Sequence, residues 1–289
     1  MNFQIRYLTE YRYDAPVSDN LNSLRVRPAT TSLQRADEFV IRTEPEARVS
    51  RYVDYFGTEV LEFGIAKPHD HMLIDVRARV VTSEQSEPVD VGWEALAAPE
   101  YREAAGEFLL PAGNEPEDTT MLEYLDDFID APTPLGTLHK LVEMIPNRFE
   151  YNPHTTYVGS TVEDLFAAGG GVCQDFVHLG LMLLRRRGIA ARYVSGYLWA
   201  APEDGGQDSV EVDTHAWLEA LLPGEREPAW VGADPTNRRL AGETHVKIGH
   251  GRLYADVPPI KGVYAGSAGS HLEASVTMSR LDPAASAKP

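Results

Sequence analysis

The sequence predicts a two-domain α+β protein, with a β-rich domain over residues 1–88 and a mixed helix-and-strand domain over residues 89–289. Three observations predict it. Period-two alternation of apolar residues runs through the N-terminal segment, the apolar period becomes helical after an acidic, proline-containing stretch at residues 83–90, and alternation returns beyond residue 210.

Phe3, Ile5, Tyr7, Thr9, Tyr11 and Tyr13 fall on one face of a strand, because successive side chains of an extended chain point to opposite sides. Further short strands follow in EFVIRTEP, in RYVDYFGTEVLEFGI with Gly57 at a hairpin turn, and in HMLIDVRARVVT, separated by Pro, Gly and Asn. The polar stretch SEQSEPVD then reads as a linker. Helical spacing begins with Leu122, Leu125 and Ile129 and continues with Leu135, Leu138, Val142 and Ile145. Ser160 with Glu163 resembles a capping box that opens another short helix. No internal repeat stands out, and the Ala, Ser and Pro tail after Asp282 is expected to be disordered.

Composition narrows the function classes. With 289 residues, 43% hydrophobic and 24% charged, the chain has enough apolar material for a full core. Its 26 basic and 44 acidic residues leave a formal charge of -18, so no nucleic-acid or membrane partner is expected to bind through a basic footprint. The single cysteine cannot form an internal disulfide. The opening MNFQIRYLTEYRYDAPVS lacks a basic segment followed by an apolar one, and no apolar run approaches the ~18 residues of a membrane span. A cytoplasmic location is the expectation.

That cysteine, Cys173, sits between three glycines and the apolar run of GGGVCQDFVHLGLMLLRRRGIAARYVSGYL. Gly169, Gly170 and Gly171 permit a sharp turn, and Phe176, Val177, Leu179, Met182, Leu183 and Leu184 then supply a broad apolar stripe. Arg185, Arg186 and Arg187 suit the negative end of a helix dipole, with Gly188 as the residue beyond it. Cys173 therefore begins a helix. Unpaired N–H groups at that end favour an ionised, nucleophilic thiol and can stabilise an oxyanion. A small buried core residue remains the alternative.

A nucleophilic thiol needs an imidazole and a group to orient it. In VEVDTHAWLEALLP, Asp213, His215, Trp217 and Glu219 share one strand face. A turn leads into AWVGADPTN, whose strand ends at Asp234 before Pro235, and a hairpin between the two segments brings Asp234 near His215. The acid would accept a ring N–H and fix the tautomer. The residues equally fit a core histidine and an aspartate capping the Pro-Thr turn.

These blocks, together with HVKIGHGRLYADVPPIKGVYAG, resemble the bacterial members of the transglutaminase-like superfamily, whose core is papain-like. The cysteine, HAW and DPT blocks stand in the family's order, with His215 42 residues after Cys173 and Asp234 another 19 on. The segment before them resembles the N-terminal region of bacterial relatives. The resemblance implies a helix-borne cysteine packed on an antiparallel sheet. It assigns Cys173 as nucleophile, His215 as general base then acid, and Asp234 as the orienting group, in acyl transfer or hydrolysis on amide or peptide bonds through a thioester. A peptide or protein is the implied substrate, with an amine as co-substrate if the reaction is a transamidation. Animal transglutaminases place an indole before the cysteine as an oxyanion donor, but no Trp lies between Trp93 and Cys173. The Cys173 N–H with Tyr151 or Gln174 would take that role. A catalytically silent binding or scaffold protein on the same fold is the alternative function.

Other residues point to less. His69 and His71 in KPHDHM share a strand face, but no further ligands complete a metal site, so surface histidines are expected. His178 points well round its helix from Cys173 and is expected to pack. The glycine triplet lacks the Lys-Ser/Thr of a phosphate loop. No cofactor, metal or dedicated calcium loop is expected, and the sequence leaves the oligomeric state open.

Overall fold

The structure, a computed structural model, describes residues 1–157, 159–200, 209–212 and 214–281, the side chains of 209, 211 and 212 excepted. Asp213 and the tail expected to be disordered after Asp282 lie outside the described residues.

The N-terminal alternation forms strands β1 (Asn2–Leu24), β2 (Gln34–Glu44), β3 (Ser50–Val53), β4 (Glu59–Ile65) and β5 (His69–Thr82). Phe3, Ile5, Tyr7, Thr9 and Tyr13 of β1 are buried on one face, as their period predicts. Gly57, at φ +82°, turns the chain between β3 and β4. Residues 83–90 carry no regular structure.

Helices follow: α1 (Pro99–Ala105), α2 (Thr120–Asp126) and α3 (Pro134–Arg148). Thr133 caps α3 by accepting the Gly136 N–H at 3.1 Å, and Pro134 occupies the first turn, where its missing donor costs nothing. Two-residue strand β6 (Glu150–Tyr151) leads to α4 (Val162–Ala168). Its capping box lies one residue beyond the expected Ser160 and Glu163. Thr161 accepts the Asp164 N–H at 3.3 Å while Asp164 accepts the Thr161 N–H at 2.8 Å. Ser160 instead accepts the Tyr157 N–H, which closes the preceding turn and leaves the next hydroxyl at the helix start.

Strand β7 (Gly170–Gly171) and helix α5 (Cys173–Arg186) come next, then β8 (Ala191–Leu198), β9 (Ser209–Val212), β10 (Thr214–Leu222), β11 (Ala229–Asp234), β12 (Arg239–Leu240) and β13 (His245–Gly251). Helix α5 is buried almost all round, with Phe176, Val177, Leu179, Leu181, Leu183 and Leu184 fully enclosed. Burying such side chains contributes about 1.5–3 kcal/mol each, which fixes the helix against the sheet. That sheet is antiparallel, in the order β12-β11-β10-β8-β13, and Ala216, Leu218 and Ala220 of β10 share a core with α5.

The chain then returns to its first sheet through β14 (Ile260–Ala265) and β15 (Ser270–Arg280). The first half of β1 lies between β5 and β15, and its second half, past a register shift between Arg12 and Val17, lies between β4 and β14. Tyr197, Val246 and Ile248 of the second sheet, with Trp199 just past the end of β8, join the core of the first. The two sheets are also tied by polar contacts, among them Gln34, whose side chain donates to the Lys247 carbonyl and accepts its N–H. The protein is thus a mixed α+β fold in which a helix-borne cysteine packs on an antiparallel sheet.

Candidate active site

The cysteine is presented by local backbone chemistry. Gly169 ends α4 in the left-handed conformation at φ +69°, which a residue with a Cβ seldom adopts. Gly170 and Gly171 then pair in parallel with Glu150 and Tyr151, and extended Val172 caps α5. Asp175, in the first turn and buried, accepts the Val172 N–H at 2.8 Å and the Thr156 hydroxyl at 2.6 Å. A carboxylate there satisfies a helix-end donor and complements the positive dipole end. Cys173, unpaired and partly exposed, is the first residue of the helix.

The expected hairpin forms between β10 and β11, with Leu218 opposite Ala233. It brings His215 and Asp234 together, Nε2 lying 2.8 Å from Oδ2. Cys173 lies within hydrogen-bonding reach of the same imidazole. Since Nε2 is turned to Asp234, the remaining ring nitrogen, Nδ1, is the one left for the sulfur. The structure therefore assembles all three residues singled out in the sequence. The His215 side chain is 11% exposed and that of Asp234 is fully buried.

Burial disfavours a charged His215 ring, but the hydrogen bond to Asp234 and the interactions with Cys173 outweigh it and push its pKa up to about 9. For Asp234 burial again opposes charge, and the hydrogen bonds from His215 and His245 reverse it, holding the carboxyl well below the usual range. Among the described residues five donors converge on that carboxylate. Oδ2 accepts from His215, from His245 at 3.1 Å and from Asn237 Nδ2 at 2.7 Å, while Oδ1 accepts the backbone N–H groups of Thr236 and Asn237. The predicted cap on the Pro-Thr turn is thus present as well, made by the other oxygen of the same side chain.

His245 and Asn237 were not singled out by sequence reasoning. Asn237 had a local signal, since DPTN places an amide three residues past the acid. His245 had none, because β13 is separated from β11 by two strands. The face of β10 predicted to carry His215, Trp217 and Glu219 is also richer than its pattern showed. Trp217 stacks on His215 with ring centres 6.2 Å apart and meets His245 edge-on at 5.2 Å. Glu219 binds Arg192 at 2.6 Å and Lys247 at 2.6 Å, and burial moves the Lys247 pKa down to about 8 against the pull of that carboxylate.

His178 packs as expected, against Tyr193, with its Nε2 accepting the Tyr254 N–H. His69 does not sit on the surface. It is buried between Asn20, Tyr13 and the Lys67 carbonyl, because β5 turns this residue into the core face, whereas His71 pairs with Glu10 at 3.0 Å.

The comparisons with known proteins agree with this architecture. The bacterial transglutaminase-like N-terminal region matches residues 3–81, and the transglutaminase-like superfamily core matches residues 124–235. An uncharacterised protein of Mycobacterium leprae (strain TN) is 32% identical over 280 residues, covering 96% of this chain and 98% of its own. The chain belongs to the transglutaminase-like superfamily. A Mycobacterium tuberculosis (strain H37Rv) relative, also uncharacterised, is 32% identical over 290 residues, covering 95% of this chain and 91% of its own. A protein-glutamine gamma-glutamyltransferase of Pseudomonas aeruginosa is 28% identical over 120 residues, covering 39% of this chain and 18% of its own. Among solved structures, a candidate cysteine protease from Cytophaga hutchinsonii shares the fold, with a TM-score of 0.70 at 21% identity, covering 96% of this chain and 97% of that one.

The transglutaminase-like site also contains three metal-capable atoms, on His215, Asp234 and His245, within 4.8 Å of one another. The donor set does not fit an ion. Each imidazole directs Nε2 at Asp234 Oδ2, Asn237 adds a third donor there, and two N–H groups fill the other oxygen. A carboxylate so occupied has no lone pair left for a cation.

Proposed function

We propose that the protein is a cysteine-dependent enzyme that transfers or hydrolyses acyl groups of amide or peptide bonds through a thioester on Cys173, with His215 as general base then acid and Asp234 as orienting group. One observation carries the reading: a single imidazole, shielded from water, engages a fully buried carboxylate through Nε2 and interacts with a helix-initial thiol.

The chemistry follows from that arrangement. With its raised pKa, His215 readily takes the Cys173 proton, and the resulting thiolate attacks the substrate carbonyl carbon. Negative charge collects on the carbonyl oxygen. The N–H groups opening α5, which have no partner within the helix, are suited to receive it. Buried Gln174, next in the helix, or Tyr151, beside Gly171 in the β6-β7 pair, is the second donor in this reading. The imidazolium then protonates the departing amine as the C–N bond breaks, leaving a thioester and a neutral ring. Water or a second amine gives its proton to the ring, attacks the thioester and releases the thiolate. Asp234 stays ionised throughout and holds the ring in the tautomer with Nε2–H.

The substrate in this reading is a peptide or protein, and an unpaired thiol is compatible with action in the cytoplasm. The test is to incubate the protein with amide probes and look by mass spectrometry for an acyl adduct on Cys173, with Cys173→Ala as control. A glutamine-containing peptide with a labelled amine then separates the two acceptors: new amino termini without label mean hydrolysis, and label without new termini means transamidation. Absence of any adduct across the panel overturns the reading in favour of a silent scaffold.

A further inference from the structure

We propose that His245 is a positioning residue of this site, a neutral hydrogen-bond donor that holds the Asp234 carboxylate in place for His215. The role concerns the same Cys173, His215 and Asp234 set as the acyl-transfer reading and rests on it.

The tautomer of His245 follows from its neighbours. The Gly242 backbone N–H points at Nδ1 from 3.2 Å, so Nδ1 must accept. The ring proton is then on Nε2, and Nε2 donates to Asp234 Oδ2 at 3.1 Å. The ring has little freedom to leave that position, since its side chain is 2% exposed and the Trp217 indole meets it edge-on at 5.2 Å.

A neutral donor is what the carboxylate needs. His215 becomes an imidazolium on Oδ2 during the proposed reaction, and a second cation on the same oxygen would oppose that charge. Burial keeps His245 in its neutral form, and the nearby charges of Arg239 and His215 act in the same direction, against the pull of Asp234. Lys247, two residues on along β13, spends its charge on Glu219. His245 thus stabilises an ionised Asp234 while adding no positive charge next to His215. Loss of this donor would remove one of the three hydrogen bonds that hold Oδ2 of a fully buried carboxylate and leave one side of Asp234 unsupported.

The test measures the rate of Cys173 alkylation by iodoacetamide against pH, together with kcat and KM on an amide probe, for the full-length chain and its variants. Alkylation needs no turnover. His245→Leu should slow alkylation at neutral pH by about tenfold, move its pH profile, and lower kcat by about 10–100-fold with KM nearly unchanged. His245→Gln, which can present an amide N–H where Nε2–H was, should recover most of both. If the leucine variant does not fold, His245→Asn takes its place: it can accept the Gly242 N–H but falls short of Asp234, and it should be impaired where glutamine is not. A folded leucine or asparagine variant with the wild-type profile, or a glutamine variant no better than leucine, overturns the role. So does a wild-type protein whose thiol alkylates like a free cysteine at every pH. A wild-type protein that gives no acyl adduct, but whose alkylation profile His245→Leu shifts, overturns the acyl-transfer reading and leaves the positioning role intact.

Discussion

Gly196 lies against the indole of Trp217, so close that a methyl group at Gly196 would fall 2.7 Å from Trp217 Cζ3 and closer still to the Val246 carbonyl oxygen. Gly196 pairs with His215 on one side and Lys247 on the other, so the strand carrying it runs between β10 and β13. Only a residue without a side chain lets Trp217 lie flat there and reach both His215 and His245.

Gly196→Ala should therefore destabilise the protein by about 1–3 kcal/mol, because neither the indole nor the Val246 backbone can give way cheaply. It should also displace His215 and slow Cys173 alkylation. Thermal unfolding and the alkylation rate check both, and an unchanged Tm with unchanged reactivity would contradict the packing described.

Asp234→Asn keeps the volume of the side chain but directs an amide at a ring nitrogen that must then change tautomer. The expected result is a loss of amide turnover of about 10²–10⁴-fold with KM little changed. Steady-state kinetics on the probe that labels Cys173 would show it. A variant retaining more than a tenth of wild-type kcat would remove Asp234 from the proposed mechanism.

In the Arg192, Glu219 and Lys247 cluster, two cations share one carboxylate. Glu219→Gln leaves both cations without a counter-charge and should cost about 3–5 kcal/mol. Lys247→Met keeps the Arg192 pair and removes a poorly solvated ammonium, so it should cost much less. Urea denaturation of the two variants gives the order directly, and the reverse order would refute this account of the cluster.

Stability should also depend on pH in a defined way. Burial lowers the His178 pKa to about 4 and the His250 pKa to about 3, and lowers that of His245. The unfolded chain protonates these rings near pH ~6.5, so their neutral burial contributes fully above that pH and is lost as the pH falls toward the folded values. His215 has the opposite sign. Its pKa of about 9 gives a contribution present below pH ~6.5 and lost as the pH rises through 9. Chemical denaturation across pH should show maximal stability near neutrality, with His178→Phe flattening the acid side. Equal slopes in that variant and the wild type would contradict the assignment of His178.

Much of this protein was legible in its sequence because the relevant signals are local. Period-two burial of Phe3 to Thr9 needs only the pleat of a strand, and the start of α5 at Cys173 needs only a flexible turn followed by an apolar helix stripe. The β10-β11 hairpin needs a turn between two short strands, and it suffices to bring Asp234 to His215. The capping box slipped by one residue because Ser160 and Thr161 are equally able to cap, and only the geometry of the preceding turn separates them.

What the tertiary structure decided is whatever depends on strands distant in sequence. His245 reaches Asp234 because β13 joins the sheet beside β8, and His69 is buried because β5 pairs with the long β1, two facts no local pattern encodes. The identity of the helix, strand and hairpin follows from interactions within a few residues. The environment of each ionisable side chain follows from which strands meet across the sheet, and pairing between distant segments is set by the packing of the whole core.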